Sequence, residues 1–270
     1  MKKKRLIPIL LLKNGWLVQS KKFNRYQNLG NPVQAVKRLS QWGSDEIIYL
    51  DITKYGDYDL KRNDQNYPNR KSFLEIVDDF AKVTFMPMTI GGKINNINDI
   101  DIRLKIGADK VSINTMALTN IDFIKKASKE FGSQCIVVSV DVKLDQYKKY
   151  KVFNSRESKI TNIDAVEFCK IIEDKGAGEI LLNSVDNDGQ GNGYDITLLN
   201  CIVNHLSIPT IACGGVGDWG HFEEALVKTN VDGVAAANIF HYFDQSVYLA
   251  KKYLCDKNQN IRKPDILEIN

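Results

Sequence analysis

The sequence predicts an α/β protein in which eight parallel strands, each followed by a helix, close into a (β/α)8 TIM barrel with a half-barrel internal repeat. Three observations predict this fold class. Eight short apolar runs recur along the chain, amphipathic stretches separate them, and segments of the first half recur in the same order in the second. The chain has 270 residues. Because barrels of this kind commonly run to about 250 residues as one domain, we expect residues 1–270 to form a single domain.

Each of the eight apolar runs has the length and residue types of a buried strand. The stretches between them carry apolar residues at helical spacing, so strand and helix alternate throughout, as a parallel barrel requires. The predicted strands are 5–12, 46–53, 85–92, 110–115, 135–142, 179–186, 209–216 and 233–240. The predicted helices are 32–42, 70–83, 97–106, 121–130, 165–176, 195–206 and 221–229.

The internal repeat is visible in three pairs of segments. GSDEI (43–47) matches GAGEI (176–180), TIGG (89–92) matches ACGG (212–215), and SIN (112–114) falls against AAN (236–238). Coincidence among glycine-rich turns is the alternative, but three matches in the same order favour two half-barrels of four units each.

Two long connections follow strands one and two, on the side where barrels of this kind carry their active-site loops. They are residues 15–30 and the polar stretch 54–69. For the second, a lid or partner-contact role and a merely solvated insertion are both open.

Bulk properties exclude several classes of protein. The composition is globular, with 43% hydrophobic and 26% charged residues, and no apolar stretch approaches the roughly 20 residues needed to cross a bilayer. The net charge is +4, and the Lys and Arg residues are scattered along the chain, so no nucleic-acid partner is expected. An odd number of widely spaced cysteines fits reduced thiols and a cytoplasmic protein; they are Cys135, Cys169, Cys201, Cys213 and Cys255.

Phosphate binding is the activity that the glycine patterns favour. The ends of strands seven and eight commonly form a phosphate cradle from backbone amides. Four candidate phosphate-binding residues lie there, and the repeat supplies four more at the ends of strands three and four. Two such sites would suit an elongated ligand with two phosphates. The alternative is that these glycines only form tight turns. The candidates are Gly214, Gly215, Ala237 and Asn238, with Gly91, Gly92, Asn114 and Thr115 in the first half.

Asp141, at the end of the apolar strand five, is the predicted catalytic residue. A carboxylate at this end of a barrel strand faces the mouth, where partly apolar walls tune its pKa for acid or base catalysis. An ion pair with Lys143 is the alternative. Asp51 and Asp188 end strands two and six, and either substrate positioning or a structural ring of charge accounts for them.

Four charged residues begin strands one, two, four and six, so two cations and two anions are expected to meet at the bottom of the barrel. They are Arg5, Glu46, Lys110 and Glu179. Buried charges must be paired to be tolerated, so a plain salt-bridge plug is one interpretation. A gate for a small neutral molecule is the other.

These features resemble HisF, the cyclase subunit of imidazole glycerol phosphate synthase, along essentially the whole chain. The matching stretches are DEIIYLDIT (45–53), GADKVSINT (107–115), FGSQCIVVSVDVK (131–143), GAGEILLNSVDNDGQGNGYD (176–195), ACGGVG (212–217) and NIFH (238–241). The resemblance implies the same barrel, and it adds Asp188 and Gly189 to the substrate-binding residues. It also implies a HisH-like glutaminase docked at the barrel bottom, with ammonia passing through a gate at Arg5, Glu46, Lys110 and Glu179.

The sequence departs from the family at three positions. The family uses two aspartates, and the one on strand one falls here on Leu11. The internal repeat agrees, since Leu11-Leu12-Lys13 aligns with Asp141-Val142-Lys143. An active-site lysine of the family falls on Gln19, and the third glycine of the early phosphate loop falls on Lys93.

PILLLKNG (8–15) is similar to a group of HisF-like paralogues linked to acetamidino modification of sugars in surface polysaccharides. This resemblance implies a subunit that passes ammonia to an ATP-dependent sugar-amidating enzyme, which acts on a phosphorylated or nucleotide-linked small molecule. The alternative is the cyclase of histidine biosynthesis, which Leu11 disfavours. A HisA-type isomerase is disfavoured by the four gate residues.

No metal or cofactor is expected. His205, His221 and His241 show no metal-ligand spacing with one another or with the cysteines. The predicted chemistry therefore rests on protein side chains alone.

Overall fold

Eight parallel strands close into a barrel, which confirms the predicted fold class. The computed structural model describes residues 2–54, 70 and 72–264. The barrel strands are β1 (Arg5–Lys13), β4 (Ile47–Asp51), β5 (Met88–Gly91), β6 (Lys110–Ile113), β7 (Ile136–Leu144), β10 (Glu179–Ser184), β11 (Thr210–Cys213) and β12 (Gly233–Ala236). Each pairs in parallel with the next, and β12 pairs with β1 to complete the ring.

Two antiparallel hairpins extend from the barrel rim. β2 (Trp16–Lys21) and β3 (Arg25–Gly30) follow β1, and β8 (Tyr150–Asn154) and β9 (Lys159–Asp164) follow β7. Residues 15–30, expected as a long connection, are therefore an ordered hairpin. The two hairpins follow the first and the fifth barrel strand, which are equivalent positions in the two half-barrels.

Helices surround the barrel, and each predicted helix has a counterpart. The helices are α1 (Pro32–Gln41), α2 (Phe73–Ala81), α3 (Ile97–Ile106), α4 (Thr115–Thr119), α5 (Asp122–Phe131), α6 (Ala165–Asp174), α7 (Ile196–Val203), α8 (Trp219–Lys228) and α9 (Ser246–Asp256). The helices α4 and α9 and the β8–β9 hairpin have no counterpart among the predicted elements. Of the connection 54–69, only Lys54 lies among the described residues. No helix in the described ranges is long and apolar enough to cross a membrane.

Several predicted strands are too long at their carboxyl ends. The runs 85–92 and 209–216 include glycines that adopt positive φ, namely Gly92 at 102°, Gly214 at 94° and Gly215 at 109°. Positive φ is a conformation that strands do not adopt. The chain therefore leaves the sheet at these glycines and turns toward the next helix.

Side chains just before the helices explain where several of them begin. Asn31, Ser72, Asn96, Asp164 and Asp218 each accept a hydrogen bond from a backbone N–H in the first turn of the helix that follows. These caps satisfy amide donors that have no partner inside the helix. These caps therefore mark the starts of α1, α2, α3, α6 and α8.

Alternate residues of each barrel strand point into the barrel. Ile7, Ile48, Val137, Leu181 and Ile211 belong to an interior cluster that also includes Ile9 and Ala235, separate from the larger core between strands and helices. Because side chains alternate along a strand, one layer below these residues lies the predicted charged set, and one layer above lies the mouth.

A buried ion pair fastens α9 to the bottom of the barrel. The Lys251 ammonium donates to the Gly43 carbonyl at 2.6 Å and to Asp45 Oδ1 at 2.5 Å. The other Asp45 oxygen accepts from the Leu6 amide at 3.0 Å. Burial lowers the pKa of Lys251, while the Asp45 carboxylate opposes that shift. The last helix is therefore joined to β1 through one carboxylate.

We expect Lys251→Met to destabilise the fold strongly, because it leaves the Asp45 carboxylate inside the protein without its cation. Removing one partner of a buried pair typically costs about 3–5 kcal/mol. Urea unfolding measures the change, with Lys252→Met as the control, since Lys252 is exposed on the same helix. Equal stability of the two variants would contradict the role given to this pair.

Candidate functional site

Four charged side chains close the bottom of the barrel. Arg5 Nη1 donates to Glu46 Oε2 at 2.8 Å, and Arg5 Nη2 donates to Glu179 Oε1. Lys110 Nζ lies 3.0 Å from Glu46 Oε1 and 2.9 Å from Glu179 Oε2. The strand positions predicted this meeting, and the result is a closed ring in which cations and carboxylates alternate. We refer to these four residues as the charged ring.

The charged ring is internally neutral and further held by a hydroxyl. Thr89 Oγ1 donates to Glu46 Oε1 at 2.9 Å. Burial alone would lower the pKa of Arg5, but Glu179 and Glu46 raise it. For Glu179, burial acts to raise the pKa, yet Arg5 and Lys110 bring it below its usual value. Arg5 and Glu179 therefore stay charged near neutral pH.

A cavity of about 320 Å³ opens at the opposite end of the barrel, among the strand ends and both hairpins. Of the predicted site residues, those that line it are Gly92, Asn114, Thr115, Asp141, Asp188 and Ala237. Gly91, Gly189, Gly214, Gly215 and Asn238 are not among the lining residues. The predicted substrate residues are thus only partly brought together in this space.

Asp141 lies at the floor of this cavity. Its carboxylate accepts hydrogen bonds from Asn114 Nδ2 at 3.1 Å and from Asn183 Nδ2 at 3.2 Å. Burial raises the pKa of Asp141 to about 6, although the hydrogen bonds of Asn183, Ser155 and Asn114 act in the opposite direction. A carboxyl group with this pKa can both hold and release a proton near neutral pH. The structure shows no ion pair with Lys143.

Leu11 lines the same cavity on β1, where the repeat places the counterpart of Asp141. It pairs with Val18 of β2 and with Leu50 of β4, and its side chain packs on the interior apolar cluster. This wall of the mouth therefore presents hydrocarbon and cannot exchange a proton.

The first-half cradle, Gly91, Gly92, Asn114 and Thr115, opens into the cavity beside two cationic side chains. Gly92 has a φ of +102°, and a Cβ there would lie 2.3 Å from the Asp51 carbonyl oxygen, so only glycine fits. Lys93, the next residue, places Nζ 3.4 Å from Asp51 Oδ2. Arg156 of the second hairpin also lines the space. An anion placed here would meet these two cations, and the Asp51 carboxylate that pairs with Lys93 lines the same space.

The second-half cradle, Asp188, Gly189, Gly214, Gly215, Ala237 and Asn238, is in contact with the first hairpin. The Asp188 carboxylate accepts from Ser20 Oγ at 2.8 Å and from the Phe23 amide at 3.2 Å. Burial raises the pKa of Asp188, and these hydrogen bonds from Ser20 and Phe23 oppose the shift. Asn238 Nδ2 donates to the Ser20 carbonyl at 2.8 Å, and Asn238 Oδ1 accepts from the Ser20 amide at 3.4 Å.

Close backbone packing explains two further glycines of this cradle. A Cβ at Gly215 would lie 2.0 Å from the Gly193 carbonyl oxygen, and one at Gly214 would lie 2.8 Å from Asn183 Oδ1. Their loops touch other loops at these points, which is the tight-turn explanation considered for the sequence. Binding of phosphate at these two positions stays a prediction.

Asn183, which donates to Asp141 from β10, is not among the residues predicted from the sequence. Glu179 and Leu181 face the barrel interior on the same strand, so the alternation of side chains already placed Asn183 inward at the mouth. Tyr26 and Ser155 were missed because they lie on the two hairpins, and no strand pattern extended into those segments.

The five cysteines are free thiols. Cys213 lines the cavity, and burial raises the pKa of its thiol well above the ordinary value, so it stays protonated. Within the described residues, no group of His, Cys, Asp and Glu side chains is arranged to hold a metal ion.

One comparison with known proteins bears on this site. The family model described as histidine biosynthesis protein matches residues 5–246. The match begins at Arg5 of the charged ring and extends past Asn238, so it covers the whole barrel and every site residue named above.

We expect Asp141→Asn to change the pH dependence of stability. The folded protein holds the Asp141 proton more tightly than the unfolded chain, so the free energy of unfolding falls as the pH rises from about 4 to about 6. The cost, about 2 to 3 kcal/mol, is fully present above pH 6 and absent below pH 4. Asp141→Asn should remove this cost, so its stability relative to wild type should be higher at pH 8 than at pH 4.

Urea unfolding of both proteins at the two pH values measures this difference. Asp244→Asn is the control, because Asp244 is exposed. A wild-type-minus-variant difference that does not change with pH would contradict the raised pKa of Asp141.

Proposed function

The chain belongs to the histidine biosynthesis protein family, and from that membership we propose that it is a HisF-like ammonia-receiving subunit of a glutamine amidotransferase complex. In this role a HisH-like glutaminase docks at the bottom of the barrel and releases ammonia there. The ammonia crosses the charged ring and leaves at the mouth. The observation that carries the proposal is the complete charged ring directly below an interior that leads to the mouth cavity.

A ring of this kind suits the passage of an uncharged molecule. Its two cations and two carboxylates are paired with each other, so an ion entering from the bottom would compete with strong existing pairs. Ammonia is uncharged, and it needs only a brief separation of one pair. Above the ring it would meet apolar side chains such as Ile7 and Leu181, then the hydroxyls of Ser112 and Ser139, which line the cavity.

We propose further that the ammonia serves acetamido-to-acetamidino conversion of a sugar in surface polysaccharide biosynthesis. An ATP-dependent amidating enzyme would be the second partner, and a phosphorylated or nucleotide-linked small molecule would be the acceptor. Leu11 supports this assignment, because a delivery subunit has no need of a second acid at the mouth. Consumption of ATP and five free thiols fit a cytoplasmic location.

The alternative is a cyclase subunit of histidine biosynthesis. Asp141 favours it, since a buried carboxyl with a pKa of about 6 in a cavity is suited to acid and base catalysis. Leu11 opposes it, since the second proton carrier of the family's reaction is replaced by hydrocarbon. Loss of general acid or base catalysis typically costs about 10²- to 10⁴-fold in rate.

We expect the purified protein to show no ring closure with the bis-phosphate histidine intermediate and saturating ammonium salt at high pH. Leu11→Asp should remain well below an authentic cyclase, because Gln19 and Lys93 also depart from the family. Loss of substrate and formation of the imidazole product are measured, with Leu11→Asn as the matched control for polarity without a proton. Wild-type turnover near that of an authentic cyclase would favour the histidine pathway instead.

We expect Lys110→Met to uncouple glutamine from amidation. In a mixture with the glutaminase, the amidating enzyme, ATP and the acetamido sugar, this variant, shown to be folded by circular dichroism at the assay temperature, should lose the glutamine-dependent rate while the ammonium-dependent rate stays at the wild-type value. Lys105→Met is the control, since Lys105 lies on the surface of α3. Equal glutamine-dependent rates for Lys110→Met and wild type would exclude the charged ring as the route.

A further inference from the structure

The first hairpin is inserted into the second-half cradle through one residue, Ser20. Both backbone groups of Ser20 bind the Asn238 side chain, and its hydroxyl donates to the Asp188 carboxylate. Asn238 and Asp188 end different barrel strands, so the clamp holds the hairpin to two walls of the mouth. Asp188 and Asn238, which are predicted to bind a ligand here, bind the first hairpin instead.

The approach at Gly189 is close enough to exclude a ligand between the two backbones. Gly189 has a φ of +64°, and a Cβ on it would lie 2.4 Å from the Ser20 carbonyl oxygen and 2.9 Å from the Lys21 Cα. The Lys22 amide also donates to the Asp188 carbonyl at 3.0 Å. The hairpin backbone therefore lies directly on the glycine backbone that an anion would need to reach.

The tip of the hairpin is held as well. The Phe23 ring meets the Phe153 ring of the second hairpin edge to face, with the ring centroids 6.2 Å apart. Lys13 Nζ of β1 lies 3.8 Å from the centroid of the Tyr26 ring, and Tyr26 is the cross-strand neighbour of Ser20. Contacts at Ser20, at Tyr26 and at the tip therefore hold the outer part of the hairpin.

The first-half cradle is less completely covered, although a Cβ at Gly92 would lie 2.3 Å from the Asp51 carbonyl oxygen and Ser155 of the second hairpin donates to Asn114 Oδ1 at 3.3 Å. Gly92, Asn114 and Thr115 line the cavity, and the side chains beside them, Lys93 and Arg156, are cationic. The cavity of about 320 Å³ lies at the small end of the range for small-molecule sites, about 300–1,000 Å³. The first-half cradle therefore opens into the cavity beside two cations, of which Lys93 is paired with Asp51, whereas the hairpin backbone covers Gly189 at the second-half cradle.

We propose that the β2–β3 hairpin is a built-in occupant of the second cradle, and that it restricts this site to ligands with a single anionic end, such as a sugar monophosphate. The inference rests on the proposed function and deepens it by naming the ligand class. A bis-phosphate would have to displace Ser20 from Asp188 and Asn238 before its second phosphate could bind.

Calorimetric titration of the isolated full chain tests this, with inorganic phosphate, ribose 5-phosphate and ribulose 1,5-bisphosphate as probes. The wild type should bind one inorganic phosphate and should not distinguish the two sugars by more than about threefold. In the test variant, residues 19–27 are replaced by Asn-Gly. Val18 and Asn28 are cross-strand neighbours, so a two-residue turn can join them.

The shortened variant should bind two phosphates and should prefer the bis-phosphate by about tenfold or more. Ser20→Ala, which keeps the chain length and removes the hydroxyl hydrogen bond to Asp188, should move the preference in the same direction. Its matched control is Ser128→Ala, which removes hydroxyl hydrogen bonds to the Lys125 and Lys175 carbonyls on the outer surface.

Three results would overturn the inference: a wild type that binds two phosphates, a wild type that binds none, or a folded shortened variant that still binds one. These titrations contain neither partner nor ammonia, so they fail or succeed independently of the amidation assays. A wild type that binds one phosphate but delivers no ammonia would count against the proposed function alone.

Discussion

Mutual neutralisation of four charges at the bottom of the barrel is the constraint on which the rest of the structure depends. Arg5, Glu46, Lys110 and Glu179 come from four strands, and each carboxylate contacts both cations. A buried charge without its partner is strongly destabilising, so the four strands must keep one register around the barrel. That register in turn decides which side chains face inward at the mouth, including Asp141, Asn183 and Leu11.

The mouth is asymmetric although the barrel is built from two similar halves. The second half supplies Asp141, which accepts from Asn183 of its own half and from Asn114 of the first, and the first half supplies Leu11 at the equivalent place. One cradle opens beside Lys93 and Arg156, and the other is covered by Ser20. Hairpins follow the first strand of each half, and they meet through Phe23 and Phe153. The two halves therefore share a scaffold and differ in the chemistry at their strand ends.

These differences bear on how such a barrel can change its role. The bottom of the barrel carries the charged ring that we propose as the passage for ammonia, while the mouth presents Leu11 and an ordered hairpin. The delivery role proposed above uses the ring at the bottom, whereas the ring closure of the alternative would use two proton carriers and two phosphate sites at the mouth. Substitutions confined to the mouth change the groups available for ring closure and leave the charged ring unchanged.

The sequence by itself determined the eight-stranded barrel, the charged ring and the place of Asp141, because each follows from local periodicity. Apolar runs mark strands, alternation along a strand decides which residues face inward, and parallel strands bring their starts and ends together. The internal repeat also showed that Leu11 occupies the position equivalent to Asp141. Only the tertiary structure decided the two hairpins, the raised pKa of Asp141 and the contact of Ser20 with Asp188 and Asn238. These depend on residues far apart in the chain, such as Ser20 and Asn238, whose approach no local pattern encodes.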